Sequence, residues 1–348
     1  MRITKQLSGF LLLCICLFSS CTEEADYTNG VWSRMSDFDG VARGQACSFT
    51  IGNKGYVCCG YTGKKLLKDL WEYDIEGNYW TQCADMPDAA PARYDAAAFT
   101  VGEKGYVTTG YIKDSPYYLG DTWEYDPALN TWTQKDDFAG SKRYGTVAFS
   151  IGSYGYVGMG YDDNYLKDVY RFNPNGASGA QWEIVNGYGG QKRRYGSAFV
   201  IDNVAYVCCG ENNGGNVSDF WKFDGTTWTR LRDIADNGDE SVYDDDTNDD
   251  YNIVRSGAVS FVIDGKGYIT TGSTASGTLK TDYWIYDPSS DLWTGDSDDD
   301  FTAFKGTSRK FAVSFSNGTR GFVLTGTTSS YYFDDVWELL PYERQDVD

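Results

Sequence analysis

The sequence predicts an all-β protein, a six-bladed β-propeller with four strands in each blade, and three observations carry that prediction. A phrase close to fifty residues long returns six times, marked by Arg43, Arg93, Arg143, Arg194, Arg255 and Arg309 at separations of 50, 50, 51, 61 and 54 residues. Units of that length built from short apolar runs are blades or solenoid turns, each burying its faces against its neighbours. The first and last copies are complementary fragments. Val31-Trp32-Ser33 matches the end of a unit with no strands before it, and the unit from Arg309 stops after Asp335-Val336-Trp337 without its closing Trp. Trp32 therefore supplies the fourth strand of the last blade, which closes the ring and hides the two edges an open array would expose.

In chain order, residues 1–20 carry Arg2 and Lys5, an apolar run from Phe10 to Phe18, then Ser19-Ser20 before Cys21. A basic start, a short apolar run and small residues make a secretory signal. The stretch resembles a bacterial lipoprotein signal, although Phe18 stands where the pattern prefers Leu. The resemblance implies cleavage before Cys21 and acylation of its thiol; an ordinary cleaved signal with Cys21 unmodified is the alternative. Residues 21–30, with Glu23-Glu24-Ala25-Asp26, resemble the acidic tether of surface-exported Bacteroidetes lipoproteins, which implies an outer-membrane, surface-exposed location. Residues 31–340 read as one propeller and 341–348 as a C-terminal tail.

Each unit then reads as strands a to d. Strand a follows the arginine, as in Ala96 to Val101. Strand b is Gly-Tyr-Val-x-x-Gly, reached through a tight turn such as Gly52-Asn53-Lys54-Gly55. Strand c is Asp-x-Trp-x-Tyr-Asp, as in Asp121 to Asp126, and strand d carries Trp80, Trp132, Trp182, Trp228 or Trp293. Strand c is aromatic throughout because both of its faces are buried. With 16% aromatic residues, the chain has the apolar material for such a core.

The strand-b glycines Gly60, Gly110, Gly160, Gly210, Gly272 and Gly326, followed by the pairs Tyr73/Trp80, Tyr125/Trp132 and Tyr286/Trp293, resemble the kelch-repeat family. The family's glycine doublet is reduced here to its second member, with Cys, Thr or Met before it. The resemblance implies that strand a lines a central channel and strand d lies outside.

Composition excludes several functions. The formal charge is -20, so a nucleic-acid partner is excluded by field sign. There is no histidine, which removes imidazole-ligated metals and Ser-His or Cys-His nucleophiles, and with them the copper chemistry of galactose-oxidase-like propellers. No cofactor is expected. Beyond Cys14, Cys16 and Cys21, the cysteines are Cys47, Cys58, Cys59, Cys83, Cys208 and Cys209, read as small buried hydrophobes, with a disulfide from Cys47 to Cys58 or Cys59 left open.

Antiparallel a and b strands place the d–a and b–c connections on one face, which holds nearly all the length variation. Two roles are open to the six arginines there. They brace the ring through loop carbonyls and a neighbouring Asp, or they enter the channel mouth and fork onto an anion, as arginines do in kelch proteins that bind acidic peptides. Tyr94, Tyr144 and Tyr195, directly after three arginines, and Tyr61, Tyr111 and Tyr161, directly after three glycines, either pack the rim or form a stacking platform. Glu211 takes the place of the tyrosine in blade four, as a solvated carboxylate or a general base. The spacing Asp244, Asp246, Asn248, Asp250 imitates the start of a calcium loop. It lacks Gly at the sixth place and Glu at the twelfth, which favours a solvated acidic loop. The functional expectation is a monomeric, non-catalytic binding module for a glycan or an envelope protein. The alternative, implied by resemblance to six-bladed sialic-acid mutarotases, is a carbohydrate enzyme using Glu211 with a nearby Arg.

Overall fold

The computed structural model describes residues 27–114, 117–235, 252–295 and 301–346. Within them the chain forms six four-stranded antiparallel sheets in a ring, with the strands of five sheets paired in simple chain order. Blade one is Cys47–Ile51, Lys54–Cys58, Leu70–Asp74 and Tyr79–Gln82. Blades two to five repeat it from Ala97–Val101, Val147–Ile151, Ser197–Ile201 and Val259–Ile263. In blade six, Val313–Ser316, Gly321–Leu324 and Val336–Asp346 are completed by Tyr27–Arg34, with Trp32 opposite Leu339. The ring closes as the sequence predicts. The pairing runs further than expected, from Tyr27 against Asp346, so strand replaces the tether after residue 26 and most of the tail after residue 340. Backbone pairing satisfies both segments at once, which neither could do alone.

Blades lock together by one repeated contact. In five of the six blades the residue that opens the Gly-Tyr-Val of strand b is a glycine on which the strand-a phenylalanine of the preceding blade lies: a Cβ on Gly105 would sit 2.1 Å from Phe49, and one on Gly155 would sit 2.1 Å from Phe99. At Gly105 and Gly155 an added Cβ would push the facing ring, and with it the neighbouring blade, away. Blade four carries Ala205 at the same register, packed in one cluster with Phe149. Strand a itself presents Ser48, Thr50, Ala98, Thr100, Ser150, Ala198, Ser260 and Ser314 to an axial cavity of about 410 Å³. Its hydroxyls bridge blades, as in Ser48 to the Ser314 carbonyl at 2.7 Å and Thr100 to the Thr50 carbonyl at 2.8 Å. The six cysteines of the described residues are free thiols, all buried except the half-buried Cys83, so the disulfide left open at Cys47 is absent.

Candidate functional site

Among the described residues six arginines are fully buried: Arg43, Arg93, Arg143, Arg193, Arg255 and Arg309. Each makes the same clamp. Arg255 Nε donates to the Ile253 carbonyl at 2.9 Å, Nη1 donates to the Thr271 carbonyl at 3.2 Å, and the fork closes on Asp282 at 2.9 and 2.7 Å. Trp284 Nε1 donates to the same carboxylate at 2.8 Å. The partners elsewhere are Asp69, Asp121, Asp168, Asp219 and Asp335. The carbonyl that Nη1 reaches belongs to the residue before each strand-b glycine, held at positive φ in every blade: Cys59, Thr109, Met159, Cys209, Thr271 and Thr325. The arginine thus steadies a left-handed conformation that these side chains otherwise disfavour, which is how the missing first glycine of the doublet is tolerated.

Of the two roles left open, five of the six marking arginines take the bracing one, which corrects the channel-mouth alternative, and in blade four the marker itself is corrected. The guanidinium groups of Arg43, Arg93, Arg143, Arg255 and Arg309 are spent on the ring, with none exposed at a channel mouth. In blade four the clamp is Arg193, and Arg194 is displaced by one residue onto the rim. Of two adjacent arginines, only Arg193 lies six residues before the strand-a phenylalanine, as in every other blade.

The residue after each clamp arginine pairs with the residue after the strand-b glycine, making six rim positions: Gly44/Tyr61, Tyr94/Tyr111, Tyr144/Tyr161, Arg194/Glu211, Ser256/Ser273 and Lys310/Thr327. The rim is therefore uneven. Blades one to three carry a tyrosine arc, with ring centroids 5.8 Å apart for Tyr61–Tyr94, 5.2 Å for Tyr94–Tyr111, 5.2 Å for Tyr111–Tyr144 and 5.8 Å for Tyr144–Tyr161. Tyr118, from the same b–c connection as Tyr111, stacks on Tyr144 at 5.8 Å, and Lys113 lies 4.0 Å over the Tyr61 ring. All five arc tyrosines are half-buried.

The arc ends at an ion pair. Arg194 Nε donates to Glu211 Oε1 at 2.9 Å and Nη1 donates to the Tyr144 hydroxyl at 2.5 Å, while Ser256 Oγ donates to Glu211 Oε2 at 2.9 Å. Its guanidinium also faces the rings of Tyr161 at 5.2 Å and Tyr165 at 5.5 Å. The structure thus brings together Tyr61, Tyr94, Tyr111, Tyr144, Tyr161, Arg194 and Glu211.

Tyr195 belongs one step inward. The second residue after each clamp arginine has positive φ, and six backbone hydrogen bonds link these residues head to tail around the axis. Gln45 donates to Phe311, Asp95 to Gln45, Gly145 to Asp95, Tyr195 to Gly145, Gly257 to Tyr195 and Phe311 to Gly257, at 2.8 to 3.2 Å. Inside this collar Tyr195 reaches across to Asp95, donating its hydroxyl to Oδ2 at 3.0 Å, and Gln45 Nε2 donates to the same oxygen at 2.8 Å. Burial pushes the Asp95 carboxyl up to about 7, against the lowering effect of those two hydrogen bonds and of the Arg194 charge. The sequence reading missed Asp95, Gln45 and Phe311. Their signal is the constant two-residue offset from the clamp arginine.

A pH dependence follows. Between the ordinary carboxylate value near 3.9 and about 7 the folded state holds a proton that the unfolded chain has released, so Asp95 weakens the fold as pH rises through that window. Asp95→Asn should therefore gain stability over the parent with rising pH, by up to roughly 4 kcal/mol at pH 8 relative to pH 4. Paired urea titrations of the two proteins at both pH values measure the difference; an equal offset at both contradicts it.

Cys21 and the Asp244, Asp246, Asn248, Asp250 series lie outside the described residues. Among the described residues no group of three or more Cys, Asp or Glu is disposed to hold a metal ion.

A model of the Kelch motif matches residues 42–87, from just before the blade-one clamp through strand d. Among solved structures, that of YjhT is similar with a TM-score of 0.66 at 15% identity, covering 87% of this chain and 95% of that one. At that identity the likeness concerns the fold. Among curated proteins none matches.

Proposed function

We propose that the protein is a carbohydrate-binding kelch-type propeller that engages a glycan on its rim, through the tyrosine arc and the Arg194–Glu211 pair. The asymmetry of the rim carries this reading. Six equivalent positions would repeat one residue type if they only packed the ring, yet tyrosine fills five places in three adjacent blades and an ion pair stands at the end. Half-buried phenol rings offer flat faces to pyranose rings, and a carboxylate beside a guanidinium offers acceptors and donors to sugar hydroxyls.

Acylation of Cys21 fits the same reading. Strand d runs from the c–d turn towards the rim, so Tyr27, which begins the closing strand, lies at the opposite face. A lipid at Cys21 would hold the body by that face and turn the rim away from the membrane.

A second reading rests on the same ion pair. Opening a sugar ring requires a proton taken from the anomeric hydroxyl and one given to the ring oxygen. Glu211 is placed to accept the first, and the phenol of Tyr144, which accepts from Arg194, to donate the second. This is a mutarotase-like activity.

One set of variants tests both. On a glycan array the wild-type protein should select a ligand class. Tyr111→Ala should weaken that binding by roughly thirtyfold, about 2 kcal/mol, the effect of a central aromatic anchor. Binding unchanged in both Tyr111→Ala and Arg194→Ala would refute the rim site. An anomerisation rate above background, lost in Glu211→Gln while the ligand is still bound, would establish the enzymatic reading; no rate for any bound sugar would eliminate it.

A further inference from the structure

Beneath the collar lies a second axial cavity, of about 120 Å³, walled by Asp95, Tyr195, Phe311, Thr146 and small residues such as Ala96 and Ala258. We propose that it is a binding site for a small primary ammonium ion, with Asp95 as its counter-charge.

Asp95 is only 8% exposed, and it forms no ion pair among the described residues. Arg194, whose charge bears on it, is committed to Glu211 and Tyr144. Both hydrogen bonds to the carboxylate fall on Oδ2, and Oδ1 accepts none from the described residues. A buried carboxylate in that state is costly unless a proton or a cation joins it. The cavity has room for the cation, since roughly 10–15 Å³ already admits one water.

The walls favour an ammonium over a metal ion. The rings of Tyr195 and Phe311 meet edge to face at 4.7 Å and present the aromatic surface that an alkylammonium ion favours. Two collar positions are glycine, and a Cβ at Gly145 or Gly257 would come within 2.9 Å of Tyr195 or 2.8 Å of Phe311, so glycine keeps those rings where they are. Calcium or magnesium needs six or more ligands, nearly all oxygen, whereas each collar carbonyl already accepts from the next collar N–H.

The charged and titratable groups bearing on Asp95 are Tyr195, Arg194, Glu211, Tyr94 and Tyr144. Because the carboxyl titrates near neutrality, a proton competes with the ammonium ion. Binding is therefore tighter above pH 7 and weaker below it.

Methylammonium chloride titrated calorimetrically into the full chain at constant ionic strength tests this. The expected result is one saturable site at pH 8.5, at least tenfold weaker at pH 5.5, absent in Asp95→Asn, and retained in the surface control Asp88→Asn. Tetramethylammonium, which has no N–H to donate and is bulkier, should not bind. No saturation at pH 8.5, or equal binding by Asp95→Asn or by tetramethylammonium, would overturn the proposal. If Asp95→Asn does not fold, the ¹³C carboxyl shift of Asp95 in the wild-type protein decides: saturating methylammonium must lower its titration midpoint, and an unmoved midpoint refutes the site. Glycan binding at the rim enters none of these readouts.

Discussion

Arg255→Met should destabilise the protein by about 3–5 kcal/mol, the penalty for stranding one member of a buried ion pair, and should lower Tm by on the order of 10 °C. The side chain that replaces the guanidinium has nearly the right volume, so the loss is electrostatic. It leaves the Asp282 carboxylate, 8% exposed, with Trp284 and the more distant Lys280 as company, and it releases the Ile253 and Thr271 carbonyls. The pH dependence identifies the cause. Burial raises the Asp282 carboxyl, but the charge and fork of Arg255, with the Trp284 N–H, outweigh it and hold the group below the usual carboxylate range. That depressed value contributes stability which is complete above about pH 4 and is lost as pH falls through the folded-state value. In Arg255→Met the unpaired carboxyl takes up a proton more readily, so the deficit should shrink as pH falls. The double variant Arg255→Met/Asp282→Leu, which removes both charges, should recover much of the loss. A deficit that is flat between pH 7 and pH 4, or a double variant worse than the sum of its parts, would show that packing and not charge is at stake. Arg194→Met is the natural contrast. Its pair is partly exposed, with side chains 23% and 27% accessible, so the stability cost should stay below about 1 kcal/mol while rim binding suffers.

The ring was legible in the sequence because its signals repeat. Six glycines after strand b, six strand-a phenylalanines and six clamp arginines stand in phase, and each repetition excludes accidental readings of the others. The aspartates opposite the arginines repeat too, at the entrance to strand c. A co-repeating opposite charge is the mark of an internal brace, whereas a ligand site is defined by where the repeat breaks. The arginines therefore pointed to architecture, and the departures of blades one to four from blades five and six pointed to the rim. The doublet Arg193-Arg194 hid this, because the marker and the exception stand side by side.

Asp95 was hidden for a different reason. The collar positions hold Gln45, Asp95, Gly145, Tyr195, Gly257 and Phe311, which share a backbone conformation and no side-chain chemistry. A left-handed φ is visible in sequence when glycine is used throughout. Here four of six residues are not glycine, held in place by the hydrogen bonds that each makes to the next blade. The contact from Tyr195 to Asp95 spans 100 residues and two blades and is made across the collar.

Deleting residues 1–34 should therefore do more damage than any single substitution, abolishing the cooperative fold instead of trimming one blade. Trp32, 4% exposed, packs edge-on against Phe304 at 4.9 Å and Tyr283 at 6.1 Å, and its Nε1 donates to the Thr302 carbonyl at 3.3 Å. Trp32→Ala alone should cost about 3–5 kcal/mol as a large-to-small change in the core. Removing the whole strand also unpairs one edge of Val336–Asp346 and exposes an apolar face that other chains can join. The decisive comparison is a circular permutant. Tyr27 pairs with Asp346, so a short Gly-containing turn from Asp346 back to Tyr27, with new termini opened at Ser36, rebuilds the c–d hairpin that every other blade already has. That permutant should be monomeric and unfold in one transition close to the parent's, whereas the deletion should aggregate or lose its sharp transition. The two differ only in whether the closing strand is present, and not in where the chain begins. A deletion variant that stays monomeric with an unchanged Tm would mean that the interblade Phe-on-Gly contacts alone hold six sheets in a ring.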